Sequence, residues 1–247
     1  MIKGIYASGG GMQPRMARLE VLANNIANVN TAGFKKENLF IRAMNNVAQS
    51  DAKGEGELRG LEAKEFTDFS EGSFMQTQNP LDVAIQGRGF FVIETPQGLR
   101  YTRNGNFTLG VDGTVINGQG YPVLGLSGRI QIPQAKKLSE TAISISAHGE
   151  ISVGNKHLGR FRIADFEDLN QLKKSGNSLF ATEAQERQAT LDGHKTLIHQ
   201  GHLEESNVDG IHEMIQLVEL TRSFETDQRT LQAQDTTLER AMDIGRV

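Results

Sequence analysis

The chain has 247 residues, of which 37% are hydrophobic and 23% charged, an ordinary make-up for a globular protein. Its formal net charge of -4 gives no basic surface, so we expect no nucleic-acid partner. The complete absence of cysteine excludes a catalytic thiol, a thiolate zinc site and a disulfide framework. Since the first residues hold a lysine but no long apolar run, we expect no cleaved secretory signal peptide.

The first predicted element is an N-terminal helix that begins near Pro14, because Gly9–Gly11 would weaken any helix running through them. The helix is predicted to end at Gly33, which suits a left-handed C-terminal cap. One face carries apolar residues at alternating spacings of four and three, as in a helix that presents a seam to other helices. These seam residues are Met12, Met16, Leu19, Ala23 and Ile26.

Four asparagines crowd the last turns of this predicted helix, at Asn24, Asn25, Asn28 and Asn30. Asparagine is a middling helix former, so such a concentration needs a reason. The residues could mark a fraying helix end. Alternatively, some of them could hydrogen-bond across a helix interface and fix its register, as a buried asparagine does in a coiled coil.

The middle of the chain predicts β-structure. Residues 34–80 are expected to form a linker with extended structure, and residues 81–203 a central β-domain. Alternating apolar runs are punctuated by turn signals at Pro96–Gly98, Asp112–Gly113 and Asn117–Gly118. A spacing of roughly eight to twelve residues between turns indicates an antiparallel domain, either an irregular sandwich or a barrel.

A long C-terminal helix is predicted to begin after Asp209–Gly210, with about 32 residues and a length of roughly 48 Å. One seam recurs at spacings of three and four and includes polar residues, which suggests contact with several neighbours. Its members are Met214, Leu217, Thr221, Phe224, Gln228, Leu231, Asp235, Leu238 and Met242. A second stripe of Ile211, Ile215 and Val218 suits a different contact, although ordinary core packing explains the pattern equally well.

We therefore predict an α+β fold, with long N- and C-terminal helices that pair as a coiled-coil-like region and a central, mostly antiparallel β-domain. The predicted divisions are a helical assembly segment at residues 1–33, the linker at 34–80, the β-domain at 81–203 and a second helical assembly segment at 204–247.

A search for chemistry finds no credible active site. The spacings of His194, His199 and His202 do not match a helical metal-binding pair, so these residues are expected to be solvated or satisfied locally. Glu204 and Glu205 are interpreted as solvated surface. We predict that the protein is not an enzyme and uses neither a cofactor nor a metal.

Three segments carry a resemblance to a known family. LEVLANNIANVNTAGFKK, at residues 19–36, resembles the N-terminal signature of the bacterial flagellar rod and hook proteins. Residues 79–125 are similar to the β-domain signature of that family, and residues 200–225, centred on Ser206–Val208, resemble its C-terminal motif. The segments stand in the family's order and cover about half of the chain.

The resemblance implies a structural, non-enzymatic component of the flagellar axis, located in the rod that spans the periplasm. It implies partnership with other rod subunits and with copies of itself, export by the flagellar type III apparatus, and no small-molecule substrate. The short stretch at residues 38–78 and the tail Ile244–Val247 favour the proximal rod subunit, with the distal rod subunit as the alternative.

The assembly interface predicted on this basis comprises Met16, Leu19, Ala23, Asn24, Asn25, Ile26, Asn28, Asn207, Ile211, Met214, Leu217, Phe224, Leu231 and Leu238. The alternative from another class is a secreted β-domain that binds a ligand and is oligomerised by its helices. The absence of tryptophan argues against a sugar-binding platform in that case.

Overall fold

The computed structural model describes residues 2–43, 61–132, 143–182, 187–188 and 196–244. Contacts within the chain divide it into two units. Unit 1 consists of Met1–Ala27, Glu37–Asp68 and Val208–Val247, and unit 2 consists of Asn28–Lys36 and Phe69–Asn207.

In the residues that the structure describes, unit 1 contains two helices and one antiparallel strand pair. Helix α1 spans Ile2–Ala27 and helix α2 spans Gly210–Ile244. Strand β1 (Glu37–Ala43) pairs along its whole length with β2 (Leu61–Thr67). No helix in the described residues has the length and apolar character needed to span a membrane.

Unit 2 contains short antiparallel strands and a 3-10 helix at Leu169–Gln171. The strands in the described residues are β3 (Phe74–Gln76), β4 (Val83–Gly87), β5 (Phe90–Thr95), β6 (Gly98–Thr102), β7 (Phe107–Leu109), β8 (Val115–Asn117), β9 (Leu124–Gly125), β10 (Gly128–Arg129), β11 (Ile143–Ile145), β12 (Glu150–Val153), β13 (Lys156–Arg160), β14 (Ile163–Asp165), β15 (Lys173–Lys174), β16 (Leu179–Ala181), β17 (Arg187–Gln188), β18 (Thr196–Gln200) and β19 (His202–Glu204).

A six-stranded sheet in the order β15-β16-β6-β5-β14-β17 lies at the centre of unit 2. Strands β11, β12 and β13 form a second sheet, and the pairs β3–β19, β4–β18, β7–β8 and β9–β10 complete the ladders that the structure describes. Several of these pairs, such as β4–β18 and β3–β19, join strands that are far apart in sequence, so the unit depends on long-range contacts as well as on hairpins.

Strand β5 separates two hydrophobic clusters. Successive side chains on a strand point to opposite faces of the sheet. Phe91 and Ile93 accordingly join one cluster, which includes Phe107, while Phe90 and Val92 join the other. The rings of Phe91 and Phe107 meet edge-to-face with centroids 5.0 Å apart. An unbroken apolar run at this point is therefore explained by burial on both faces.

The turn signals of the β-domain are confirmed. Thr95 pairs with Gly98 across a two-residue turn, and Gly98 takes a φ of 105° that suits glycine. Between β7 and β8, the Asp112 carboxylate accepts from the backbone N–H of Thr114 at 3.1 Å, and Gly113 has a φ of 81°. Asp-Gly at this place therefore closes the hairpin as the sequence indicates.

The predicted fold class, built on a coiled-coil-like pair of long terminal helices, is wrong. The described residues are mostly β, with nineteen strands against two α-helices, and the N-terminal helix is the shorter of the two. A coiled coil buries its seam residues in holes on the partner helix. Met16 and Met214 are instead 52% and 53% exposed, and a polar ion pair between Arg15 and Asp227 joins the helices.

The predicted limits of the N-terminal helix are also wrong. Helix α1 begins at Ile2 and runs through the three glycines, with Pro14 inside it. Intrinsic propensity is a weak guide that context overrides, which explains why the glycines do not end the helix. The helix ends at Ala27, and a turn follows in which the backbone N–H of Thr31 donates to the Asn28 carbonyl at 3.0 Å.

Candidate assembly site

The start of helix α2 is set by one carboxylate. Asp209 accepts from the backbone N–H groups of Ile211 and His212, each at 3.1 Å. Free N–H groups at a helix start need such an acceptor, so Asp209 serves as the N-cap. The helix begins at Gly210, one residue before the start that the sequence predicted.

The first turns of α2 expose apolar side chains along one face. Ile211 is 75% exposed and Met214 53%, and Ile215 and Val218 are at least half exposed. Residues spaced by three, four and seven positions lie on the same face of a helix. We name these four residues the α2 face. An exposed contiguous apolar face of this kind typically marks an interaction surface.

The other predicted interface residues are less uniform. Leu217 and Phe224 are half-buried on α2, while Leu19 and Ile26 are half-buried on α1 and Ala23 is exposed there. The side chains of Leu231 and Leu238 lie outside the described residues. Their assignment to an interface therefore stays a prediction.

In unit 1, the asparagines at the end of α1 bind their own chain. Asn25 is fully buried; its amide donates to the Glu37 carbonyl at 2.8 Å and its carbonyl accepts from the Glu37 N–H at 2.9 Å. The same amide contacts the Glu213 carboxylate at 3.2 Å, and Glu213 is itself buried. Asn24 donates to the Glu37 carboxylate at 2.6 Å. Asn25 thus fixes the start of β1 and reaches α2 within the same unit.

Unit 2 contains a buried network of three charges, Lys35, Arg103 and Glu204, which we call the charge triad. Lys35 and Glu204 are 0% exposed, and the Lys35 ammonium donates to Glu204 Oε1 at 2.5 Å. Arg103 Nη1 reaches Glu204 Oε2 at 3.3 Å. Burial lowers the pKa of Lys35 from its ordinary value, while the Glu204 charge acts in the opposite direction.

Backbone carbonyls complete this network. Lys35 also donates to the Ser70 carbonyl at 2.5 Å. Arg103 donates to the carbonyls of Ile85 at 3.1 Å and Gly87 at 2.7 Å. The interpretation of Glu204 as solvated surface is therefore wrong. A charged side chain is rarely buried unless it is paired, and here both cations supply the pairing.

Asn207 forms a second link beside the triad. The side-chain oxygen of Asn207 accepts from the backbone N–H of Lys36 at 2.7 Å. Its side-chain amide nitrogen donates to the Ser70 carbonyl and hydroxyl at 3.2 and 3.0 Å. Within unit 2, Asn207 therefore ties the segment after α1 in the chain to the segment before α2.

The histidines are held by local partners. His199 Nε2 lies 2.8 Å from the side-chain oxygen Oε1 of Gln86, and His202 Nδ1 lies 2.8 Å from the backbone carbonyl of Gln200. His194 lies outside the described residues. In the part of the chain that is described, no group of three or more histidine, cysteine or acidic residues could hold a metal ion.

A cavity of about 260 Å³ in unit 2 also lacks the organisation of an active site. Arg88 and Asp165 on its wall contact each other at 3.3 Å, and Glu71 accepts from the Gly87 N–H at 2.5 Å. The charged groups on the cavity wall therefore bond to one another and to the backbone.

Three family models match the chain in sequence order. The model for the flagella basal body rod protein matches residues 5–35, and that for the flagellar hook protein FlgE/F/G D1 domain matches residues 84–153. The model for the C-terminal part of the flagellar basal body rod FlgEFG proteins matches residues 199–244.

Curated relatives agree along nearly the whole length. The flagellar basal-body rod protein FlgG of Bacillus subtilis is 31% identical, with all of both chains covered. The rod protein FlgF of Caulobacter vibrioides is 33% identical over 92% of this chain and 91% of its own. FlgF of Rhizobium meliloti is 30% identical over 98% of each chain. The chain belongs to the flagellar basal-body rod protein family.

As a member of this family, the chain is a structural subunit of the bacterial flagellar basal-body rod, a part of the machinery of flagellar motility. Rod proteins assemble with other axial proteins of the flagellum, so the partners are homologous rod subunits. The family is structural rather than catalytic.

The charge triad draws one residue from each matched segment of this rod protein. Lys35 lies in the N-terminal match, Arg103 in the D1 match and Glu204 in the C-terminal match. Sequence reasoning missed all three because single charged residues are most often exposed. Their positions inside the three resembling segments were the available signal, but those segments do not reveal which charges meet.

Proposed function

We propose that the chain is the proximal rod subunit, that it is exported by the flagellar type III apparatus, and that it joins neighbouring rod subunits through the α2 face. The observation that carries the proposal is the row of exposed apolar side chains on α2, which unit 1 leaves uncovered. The proposed occupant is a helix of a neighbouring rod subunit, because the family assembles with its own homologues.

The energetics favour such an occupant. Fully burying one large aliphatic side chain contributes about 1.5–3 kcal/mol, so covering the four residues of the α2 face is a substantial gain for each subunit. Met16 and Ala23 are exposed on α1 and extend the proposed interface to the first helix. Leu217 and Phe224, half-buried in the chain alone, would complete their burial on assembly.

The lengths of the alignments support the proximal position over the distal one. The alignment with FlgG of Bacillus subtilis takes 270 positions although this chain has 247 residues, so it needs insertions. The alignment with FlgF of Rhizobium meliloti takes only 243 positions for 98% of the chain. The length of the chain therefore agrees better with FlgF, which we equate with the proximal subunit, than with FlgG, which we equate with the distal one.

The test is to delete the gene in its host and to image isolated basal bodies alongside a swimming assay. Loss of motility with assembly arrested before the distal rod and hook supports the proximal position. Arrest with a proximal rod already in place would assign the chain to the distal rod instead. Complete hooks and normal swimming would contradict a necessary role in the rod.

A further inference from the structure

The triad itself holds two positive charges and one negative charge, and the nearby Glu71 carboxylate also acts to raise the pKa of Lys35. Two cations, Lys35 and Arg103, share the single carboxylate of Glu204. Arg103 alone could neutralise that carboxylate, and its other donors are satisfied in part by two backbone carbonyls. The backbone N–H of Gly72 also donates to Glu204 Oε1 at 3.2 Å. Glu204 would therefore remain a paired, hydrogen-bonded charge without Lys35.

Burying a lysine at position 35 is consequently unfavourable for the stability of the folded chain. Its ammonium is completely buried, and removing a charge from water is unfavourable unless the pairing is excellent. Burial depresses the pKa of Lys35 even though Glu204 lies beside it. An apolar residue of similar length would fill the same space without that penalty. Stability alone does not explain why a lysine occupies the site.

The bonds that Lys35 makes explain its position better. It connects the segment that follows α1 in the chain with Ser70 on one side and with Glu204 on the other. Two residues earlier, the backbone N–H of Gly33 donates to the Glu204 carbonyl at 2.7 Å. Gly33 has a φ of 65°, and a Cβ there would lie 2.3 Å from the backbone nitrogen of Asn104. The backbone is thus seated tightly before the lysine.

Residues 33–36 could also pair with residues 204–207 in a register shifted by one residue. Lys36 follows directly, so a slip of the chain by one position would offer another lysine to Glu204. Two backbone hydrogen bonds define the native register of the two segments. The Gly33 N–H donates to the Glu204 carbonyl, and the Lys36 N–H donates to the Asn207 side chain. Between these two bonds, Lys35 is the residue whose side chain reaches the buried Glu204 carboxylate.

We propose that Lys35 is a positioning residue for rod assembly, which fixes the register of residues 33–36 against residues 204–207 rather than adding stability. These two segments join α1 and α2 to unit 2 along the chain, so a loose register would misplace the surfaces used in assembly. The proposal rests on the function proposed above. It identifies a buried polar contact retained for specificity, a role such contacts have in other proteins.

The test compares Lys35→Met with Lys36→Met in the full chain. Methionine is unbranched and only one heavy atom shorter than lysine, and it leaves the Glu204–Arg103 pair charge-balanced. Because the chain has no cysteine, spin labels can be placed at two exposed positions, Asn30→Cys, three residues before the first segment, and Glu205→Cys, within the second. Pulsed electron resonance on the purified protein then reports the spread of distances between the labels, and thermal unfolding reports stability.

For Lys35→Met we expect a broadened distance distribution, a melting temperature within about 4 °C of the parent, and loss of swimming in the complemented deletion strain. Lys36→Met should match the parent in all three measurements. A narrow, unchanged distribution would overturn the proposal, and so would a broad distribution combined with normal swimming. A large fall in melting temperature would also overturn it, since Lys35 would then support the fold itself.

These outcomes are separate from failure of the proposed function. If the deletion strain itself swims normally, the rod assignment fails, whereas the distances are measured on the isolated protein and still decide the positional role of Lys35.

Discussion

The two units of this rod protein place their polar and apolar groups in contrasting ways. In unit 2, strand β5 buries apolar residues on both of its faces, and three charges are buried beside Ser70. In unit 1, α2 exposes Ile211 and Met214 to solvent, while Asn25 and Glu213 are buried. Unit 2 also exposes some apolar residues, such as Leu99 in β6 and Val111 in a turn. Unit 1 instead leaves a row of apolar side chains exposed on α2. Its buried hydrogen bonds hold its own backbone segments in place.

The contrast indicates different requirements for stability. Unit 2 has two hydrophobic clusters of its own and pairs its buried charges internally. The α2 face gains its burial only when another surface covers it. Changes in unit 2 should therefore appear in the unfolding of the single chain, and changes on the α2 face should appear in assembly.

The largest effect is expected in the core of unit 2. Phe91→Ala removes a fully buried ring that contacts Phe107 and Phe161, and large-to-small changes of this type cost about 4 kcal/mol. Urea unfolding of the purified chain measures the loss. Val111→Ala, at a fully exposed loop position in the same unit, is the control and should change stability by less than about 0.5 kcal/mol. Similar small effects for both variants would contradict the assigned core.

A slightly smaller loss is expected from Glu204→Gln. The change leaves Lys35 and Arg103 buried without a negative partner, and breaking a buried ion pair in this way costs about 3 kcal/mol. Glu205→Gln, one residue along the chain and exposed, should leave the free energy of unfolding nearly unchanged. If the two glutamine variants unfold alike, the buried triad is not present in solution.

A smaller effect concerns pH. Because the pKa of Lys35 in the folded chain is below its ordinary value of 10.5, the unfolded chain holds more protons in the interval between the two values. Stability should therefore rise with pH across that interval. The difference in unfolding free energy between the parent and Lys35→Met, measured from neutral pH up to 10.5, should shift in favour of the parent. A constant or falling difference would show that the pKa of Lys35 is not depressed.

Local patterns predicted the β-unit better than the helices. Hairpins closed by Asp112–Gly113 and by the turn before Gly98 depend on backbone preferences that single residues carry, so they could be predicted. The path of α1 could not, because three glycines and Pro14 disfavour a helix that context nevertheless maintains. The seam pattern also misled, since Met16 and Met214 have the spacing of a buried seam but are exposed in the single chain.

The candidate site shows the same division. Ile211 and Met214 were both identified from helical spacing, but they were assigned to two different stripes, whereas the structure exposes them together on the α2 face. The charge triad was not identified, because its contacts join residues that are 101 to 169 positions apart in the sequence. Spacing along one element cannot reveal a contact between elements that are distant in the chain.

The smallest effect on the single chain is expected from Met214→Asp. Met214 is exposed, so the variant should unfold within about 0.5 kcal/mol of the parent. Glu219→Asp, which keeps the charge of an exposed α2 residue one turn after Ile215, is a control for the handling of the strain.

The central claim is that the α2 face is covered by a neighbouring rod subunit. The most direct measurement is the amount of Met214→Asp protein in basal bodies isolated from the complemented deletion strain, alongside its stability. We predict a folded protein that is absent from the rod, because a buried carboxylate without a partner opposes docking. Incorporation at the parental level, with normal swimming, would contradict the assignment of the α2 face to assembly.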